Sequence, residues 1–268
     1  MVYAMYFSAT GTTKKVVELI AEVLGEGLNC TSETIDFTLP IVREQKRSLE
    51  KDDIVVFGTP VYAGRVPNVL LKYIKGIEGN GAKAIPIVLY GNRNYDDALI
   101  ELRNLLEEDG FRTIAAGAFV GEHSFSYTLA QGRPDEQDLK IAKDFGKSIV
   151  NMLKDNSEHS PVSVNGQTPI RGYYQPRDRK GNSIDIRKVK PKTTDSCISC
   201  KLCAEVCPMG AISFEDVRVY QNICIKCGAC IKKCPTQAKY FDDPGFLYHK
   251  EELEVGLGNK RAVVETFL

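Results

Sequence analysis

The sequence carries no excess of either charge, with 35 Lys and Arg against 35 Asp and Glu over 268 residues. A nucleic-acid-binding surface leaves a basic footprint, and none is present, so no partner of that class is expected. Long apolar runs are also missing. None approaches the ~20 residues that cross a bilayer, and the opening MVYAMYFSATG has neither the basic start nor the length of a secretory leader. No membrane association is expected, and the expected compartment is the cytoplasm. The phosphate loop of nucleotide triphosphate sites, G-x-x-x-x-G-K-[ST], is absent, as is a second glycine-rich dinucleotide fingerprint. Tryptophan does not occur at all. What remains, 43% hydrophobic and 26% charged residues, is ordinary for a globular chain, long enough for two domains of about 100 to 200 residues each.

Cysteine is what the chain has in local excess. Eight of its nine cysteines fall in CISCKLCAEVCP (197–208) and CIKCGACIKKCP (224–235). In a reducing compartment such density signals metal or redox chemistry before disulfides. Cys197, Cys200, Cys203 and Cys207 recur 27 residues later as Cys224, Cys227, Cys230 and Cys234, so the region is an internal repeat and a small pseudo-twofold domain is expected. Zinc, the main competitor, needs only four ligands and does not call for three evenly spaced thiolates with a distant fourth; a four-iron, four-sulfur cube does. The ninth, Cys30, stands alone and reads as a small buried hydrophobe.

Residues 1–155 alternate strand and helix. VYAMYF, TSETIDF, DIVVFG, KAIPIVLYG and TIAAGAFVG read as strands, and TTKKVVELIAEVLGEG, VPNVLLKYIKGI, DALIELRNLLEEDG and PDEQDLKIAKDFGKSIVNMLK as the helices between and after them. This order predicts an α/β domain with a doubly wound, five-stranded parallel sheet, whose ligand sits at the carboxyl ends of the strands where strand order reverses. Three loops occupy that edge. SATGTT (8–13) surrounds Gly11 with hydroxyls where a helix begins, an anion site by helix dipole and free amides, with a plain helix cap as the alternative. TPVYAGRVP carries Tyr62 and YGNRNYDDA carries Tyr95, two aromatics suited to clamping a flat ring. His123, in GEHSFSY after the fifth strand, is either a ligand or partner contact or a structural residue.

The first loop fits [ST]-x-T-G-x-T through Ser8, Thr10, Gly11 and Thr13, and the domain thereby resembles flavodoxins. The resemblance implies FMN, held by Ser8, Thr10, Gly11, Thr12 and Thr13, by Pro60, Val61, Tyr62, Ala63 and Gly64, and by Gly91, Asn92, Arg93, Tyr95 and Asp97. Thr12 stands where flavodoxins usually have asparagine, and with no tryptophan any stacking falls to Tyr62 or Tyr95.

Residues 156–191 lose the helical period and gather proline, glycine and basic side chains. They are too long for an ordinary loop, yet GYYQP and SIDIRKV carry aromatic and β-branched residues where a free linker is rich in Gly and Ser. A partly ordered connection, docked at the domain junction so as to hold a cluster near the flavin, is expected. Residues 192–242 resemble bacterial two-cluster ferredoxins, small α+β domains. That resemblance implies two [4Fe-4S] clusters with crossed ligation: Cys197, Cys200, Cys203 and Cys234 for one, Cys224, Cys227, Cys230 and Cys207 for the other. Residues 243–268 form a C-terminal extension. The whole arrangement resembles the flavodoxin–ferredoxin fusion family of anaerobic bacteria and archaea. It implies an electron-transfer flavoprotein passing electrons between FMN, clusters and redox partner proteins, with flavin and cluster meeting within one chain or across a homodimer. The alternative is an FMN-dependent reductase of a quinone or nicotinamide, fed by the clusters; no catalytic acid–base pair is assigned.

Overall fold

Runs of apolar, β-branched residues make the central strands, as their two-sided burial requires. In the computed structural model, which describes residues 1–268, β1 (Val2–Tyr6), β2 (Ser32–Asp36), β3 (Ile54–Pro60), β4 (Lys83–Tyr90) and β5 (Ala116–Val120) lie parallel in the order β2-β1-β3-β4-β5. Helices α1 (Thr12–Leu28) and α3 (Glu136–Lys154) cover one face and α2 (Ala98–Glu108) the other. Val16, Val17, Ile20 and Leu24 of α1 meet Ala142, Phe145, Ile149 and Val150 of α3 over Tyr6, Val56, Ile87 and Phe119. Each large apolar side chain buried this way contributes about 1.5–3 kcal/mol. Strand order reverses beside β1, and the loops after β1, β3 and β4 meet at that edge.

Three departures from the sequence reading have physical causes. The sheet is larger than five strands and not wholly parallel, because β6 (Glu265–Phe267), in the C-terminal extension, pairs antiparallel with β5, and the short Arg112–Thr113 pairs with β4. The expected helix over 66–77 shrinks to a 3-10 turn, Asn68–Leu70, and one helical turn, Leu71–Ile74. Its start is already committed, with Arg65 bridged to Tyr62 and the Val66 N–H donating to Glu101 Oε2 at 2.8 Å. Cys30 is exposed rather than buried. Helix α1 ends at Asn29 in the left-handed region (φ 52), and Cys30 enters the exposed edge strand β2 from that turn.

In the cysteine region the sequence repeat is also a backbone repeat. Left-handed residues recur at the same offset: Ser199 and Lys226 (φ 54 and 55), Lys201 and Gly228 (φ 64 and 76), Gly210 and Gln237 (φ 54 and 54). Lys201 and Gly228 precede the short helices α4 (Leu202–Glu205) and α5 (Ala229–Lys232), and a two-residue ladder, Lys192–Thr193 on Lys239–Tyr240, closes the unit. The chain then returns to the first domain through α6 (Pro244–Leu257) and β6. No helix is long and apolar enough to cross a membrane.

Candidate functional site

Gly11 begins α1 in the left-handed region at φ 91, which a glycine adopts without cost. Gly11 has no side chain to cap the helix, and the amides of Thr12 and Thr13 meet no acceptor in the protein. These free N–H groups at the positive end of a 17-residue helix suit a phosphate. Ala9, Thr10, Thr12 and Thr13 line a cleft there with Pro60, Val61, Tyr62 and Gly91. Ser8 supports the loop from behind: it is buried, and its Oγ accepts from the Lys14 N–H at 3.0 Å.

Beyond Tyr62 and Gly91 opens a groove of about 680 Å³, within the range of small-molecule sites. Val61, Tyr62, Ala63, Gly64, Gly91 and Arg93 line it. Asn92, Tyr95 and Asp97 do not, and their side chains are engaged elsewhere. Asn92 Nδ2 donates to the Leu257 and Lys260 carbonyls (3.1 and 2.7 Å), and its Oδ1 accepts from Ala262 N–H. Tyr95 is turned into the core against Tyr90 and donates to Glu265 Oε2 at 2.8 Å. Asp97, fully buried, accepts from the Gln167 and Arg171 backbone amides (3.0 and 2.8 Å) and from the Arg171 guanidinium at 2.8 and 2.6 Å. The Arg171 hydrogen bonds hold its carboxyl well below the usual range. The third loop is thus a clamp for the connection and the C-terminal extension.

The GEHSFSY loop is the docking floor for the cysteine domain. A Cβ at Gly228 would stand 2.6 Å from the Ser124 carbonyl oxygen, so only glycine permits this approach. Lys232 pairs with Glu122 and donates to the Ser126 carbonyl at 2.6 Å, and Arg43 donates to the Pro208 carbonyl. His123 lines both the cleft and the groove. Burial pulls its imidazole down to about 4, with His249, Lys232 and Arg93 acting in the same direction, so the ring is neutral at pH 7.

Cys207, Cys224, Cys227 and Cys230 line one apolar cleft, the same four thiols that the crossed pattern joins. Two backbone amides donate to sulfur at equivalent places in the repeat, Ala211 to Cys207 and Ala238 to Cys234, each at 3.2 Å, the kind of contact that tunes the potential where thiolates hold a cluster. The two expected ligand sets differ in surroundings. Cys227 lines the phosphate-loop cleft and belongs with Ala229 to the first domain's core, and Cys224 lines the groove. Cys200 is exposed.

Sequence reasoning missed Tyr174, Phe125 and His249, which also line the groove. The paired tyrosines of GYYQP were the available signal.

The flavodoxin-domain family matches residues 3–110, and the 4Fe-4S dicluster domain family matches residues 196–238. Among solved structures, the chain is similar to a flavodoxin from the domain Archaea at 17% identity, over 57% of this chain and 98% of that one, with a TM-score of 0.41. It is similar to oxidised flavodoxin 1 from Bacillus cereus at 19% identity, over 56% and 97%, with a TM-score of 0.39. For rubredoxin oxygen:oxidoreductase from Desulfovibrio gigas the identity is 18% and the TM-score 0.41, over 58% of this chain but only 36% of that one. No curated protein matches the chain. The chain is therefore a flavodoxin–ferredoxin fusion, a flavodoxin domain joined to a 4Fe-4S dicluster domain.

Proposed function

We propose that this flavin and iron–sulfur redox protein is an intramolecular relay, with one cluster beside the flavin and the other facing outward to redox partner proteins. The observation that carries it is the position of Cys227, which lines the phosphate-loop cleft and packs in the flavodoxin core, while Cys200 of the other set is exposed. In this reading Cys207, Cys224, Cys227 and Cys230 hold the inner cluster, and Cys197, Cys200, Cys203 and Cys234 the outer one. FMN is held by the amides of Thr12 and Thr13, with Tyr62, Gly91 and Arg93 along the ring. When bound, FMN exchanges one or two electrons and each cluster one. The chain's own contribution is positional: Lys232, Glu122 and Gly228 fix the cysteine domain on the GEHSFSY loop, and Ile225 and Tyr62 pack against the first domain's core.

Anaerobically prepared protein is expected to hold one FMN and about eight iron and eight sulfide per chain. Both Cys224→Ala and Cys200→Ala lower the iron by about half. With a reductant that enters through the clusters, Cys224→Ala stops flavin reduction even though the outer cluster is intact. Flavin reduction at the wild-type rate in Cys224→Ala contradicts the relay.

The groove favours one second reading. Its volume of about 680 Å³ accommodates a small reducible substrate next to the flavin loops, as a quinone or nicotinamide reductase needs. Steady-state turnover of such an acceptor by the full chain, with saturation, supports that reading; its absence leaves the carrier.

A further inference from the structure

The groove's outer wall comes from segments that do not belong to the flavodoxin domain, and one of them brings an aromatic ring to a site without tryptophan. Resting on the FMN reading above, we infer that Tyr174 of the connection is the outer stacking face for the flavin ring, and that FMN leaves only when the connection lifts.

Position comes first. Tyr174 lines the groove together with Tyr62, Gly91 and His123, and those three also line the phosphate-loop cleft, so a ligand seated on the Thr12 and Thr13 amides extends toward Tyr174. The orientation of the ring is set from several sides. The Tyr174 N–H donates to the Ala63 carbonyl at 2.8 Å, the Arg93 guanidinium lies 4.4 Å from the ring centroid, and the His249 ring stands 6.1 Å away at 32°. Even so, Tyr174 is 40% exposed, which leaves ring surface open to the groove. Tyr95, the other aromatic expected to stack, is turned into the core and hydrogen-bonded to Glu265.

The connection is fastened on both sides of this ring. Before it, Asp97 holds Arg171, and the Tyr173 hydroxyl donates to the Val66 carbonyl at 3.1 Å. After it, Lys226 of the inner cluster loop donates to the Arg187 carbonyl at 3.0 Å and to the Cys224 carbonyl at 2.9 Å. A strap pinned at both ends across a ring-shaped slot makes ligand release depend on its opening, and a flat aromatic there holds a flat ring by stacking.

The test is the rate at which FMN leaves the full chain, loaded anaerobically with iron and FMN, read as the return of free FMN fluorescence on dilution. Tyr174→Ala and Tyr174→Leu are expected to release FMN about tenfold to a hundredfold faster, the range that loss of one aromatic stack produces. Tyr174→Phe keeps the wild-type rate, since the ring and not the hydroxyl stacks. Asp97→Asn, which frees the strap without touching the ring, also speeds release, and iron content stays unchanged in all four variants. Release at the wild-type rate in both Tyr174→Ala and Tyr174→Leu overturns this inference alone. Wild-type protein that takes up no FMN overturns the flavin reading and this inference with it.

Discussion

The two halves of the cysteine repeat share a ligand pattern and a backbone, yet one is sunk into its neighbour and the other faces solvent. Lys201 and Gly228 occupy equivalent left-handed positions (φ 64 and 76) before equivalent short helices. At Lys201 the side chain projects into solvent; at Gly228 the missing side chain lets the backbone settle on the Ser124 carbonyl. Three residues after Cys227 and Cys200 the contrast continues, with Cys230 buried and Cys203 only half-buried. The local motif therefore sets the spacing of the thiols, and one or two positions around it set which half of the repeat faces the flavodoxin domain.

Exchanging the residues at those positions is the strongest way to break the contrast. Gly228→Lys forces a side chain into the Ser124 carbonyl and is expected to cost about 3 kcal/mol through overpacking and left-handed strain. In anaerobic urea unfolding, the iron–sulfur band and the protein fluorescence of this variant separate into two transitions. The reciprocal Lys201→Gly touches nothing across the interface and changes stability by less than ~1 kcal/mol. Equal effects of the two changes would remove the asymmetry on which inner and outer clusters are distinguished.

The fastening of the connection is a smaller and pH-limited contribution. Asp97→Asn, which removes a buried charge bound to Arg171, is expected to cost about 2 kcal/mol. The Asp97 carboxyl is held below its usual range in the folded protein. Its stabilisation is therefore complete above the unfolded value of ~3.9 and fades as the pH falls toward the lower folded value. The difference in thermal midpoint between wild type and Asp97→Asn should stay constant from pH 5 to 8 and shrink below about pH 4. A difference that instead changed between pH 6 and 8 would assign the effect to another group.

The parts of the site that were legible in the sequence are those whose chemistry is local. SATGTT places its hydroxyls and glycine within six residues, and each cysteine run places its thiols within eleven. The central strands were legible for the same reason, because two-sided burial writes continuous apolar runs. The side-chain partners of the third loop were not legible because they are distant: Asp97 binds Gln167 and Arg171, and Asn92 and Tyr95 bind residues between 257 and 265. Nothing in YGNRNYDDA separates an asparagine that faces a ligand from one that holds a returning chain end. The antiparallel β6 escaped likewise, being a three-residue strand, Glu265–Phe267, whose only requirement is the open edge of β5. Part of the connection was legible by composition, since its paired tyrosines are the residues that hydrogen-bond to the Val66 and Ala63 carbonyls.

The central claim, that a cluster docks beside the flavin within one chain, is tested most directly by the concentration dependence of flavin reduction. The intact, fully loaded protein is mixed rapidly and anaerobically with a reductant that reaches the clusters first, over a hundredfold range of protein concentration. Docking within the chain predicts a single first-order rate of flavin reduction that is the same across the whole range, because the partner's effective concentration is set by the fold. A rate that rises in proportion to protein concentration would contradict it and place the transfer between molecules.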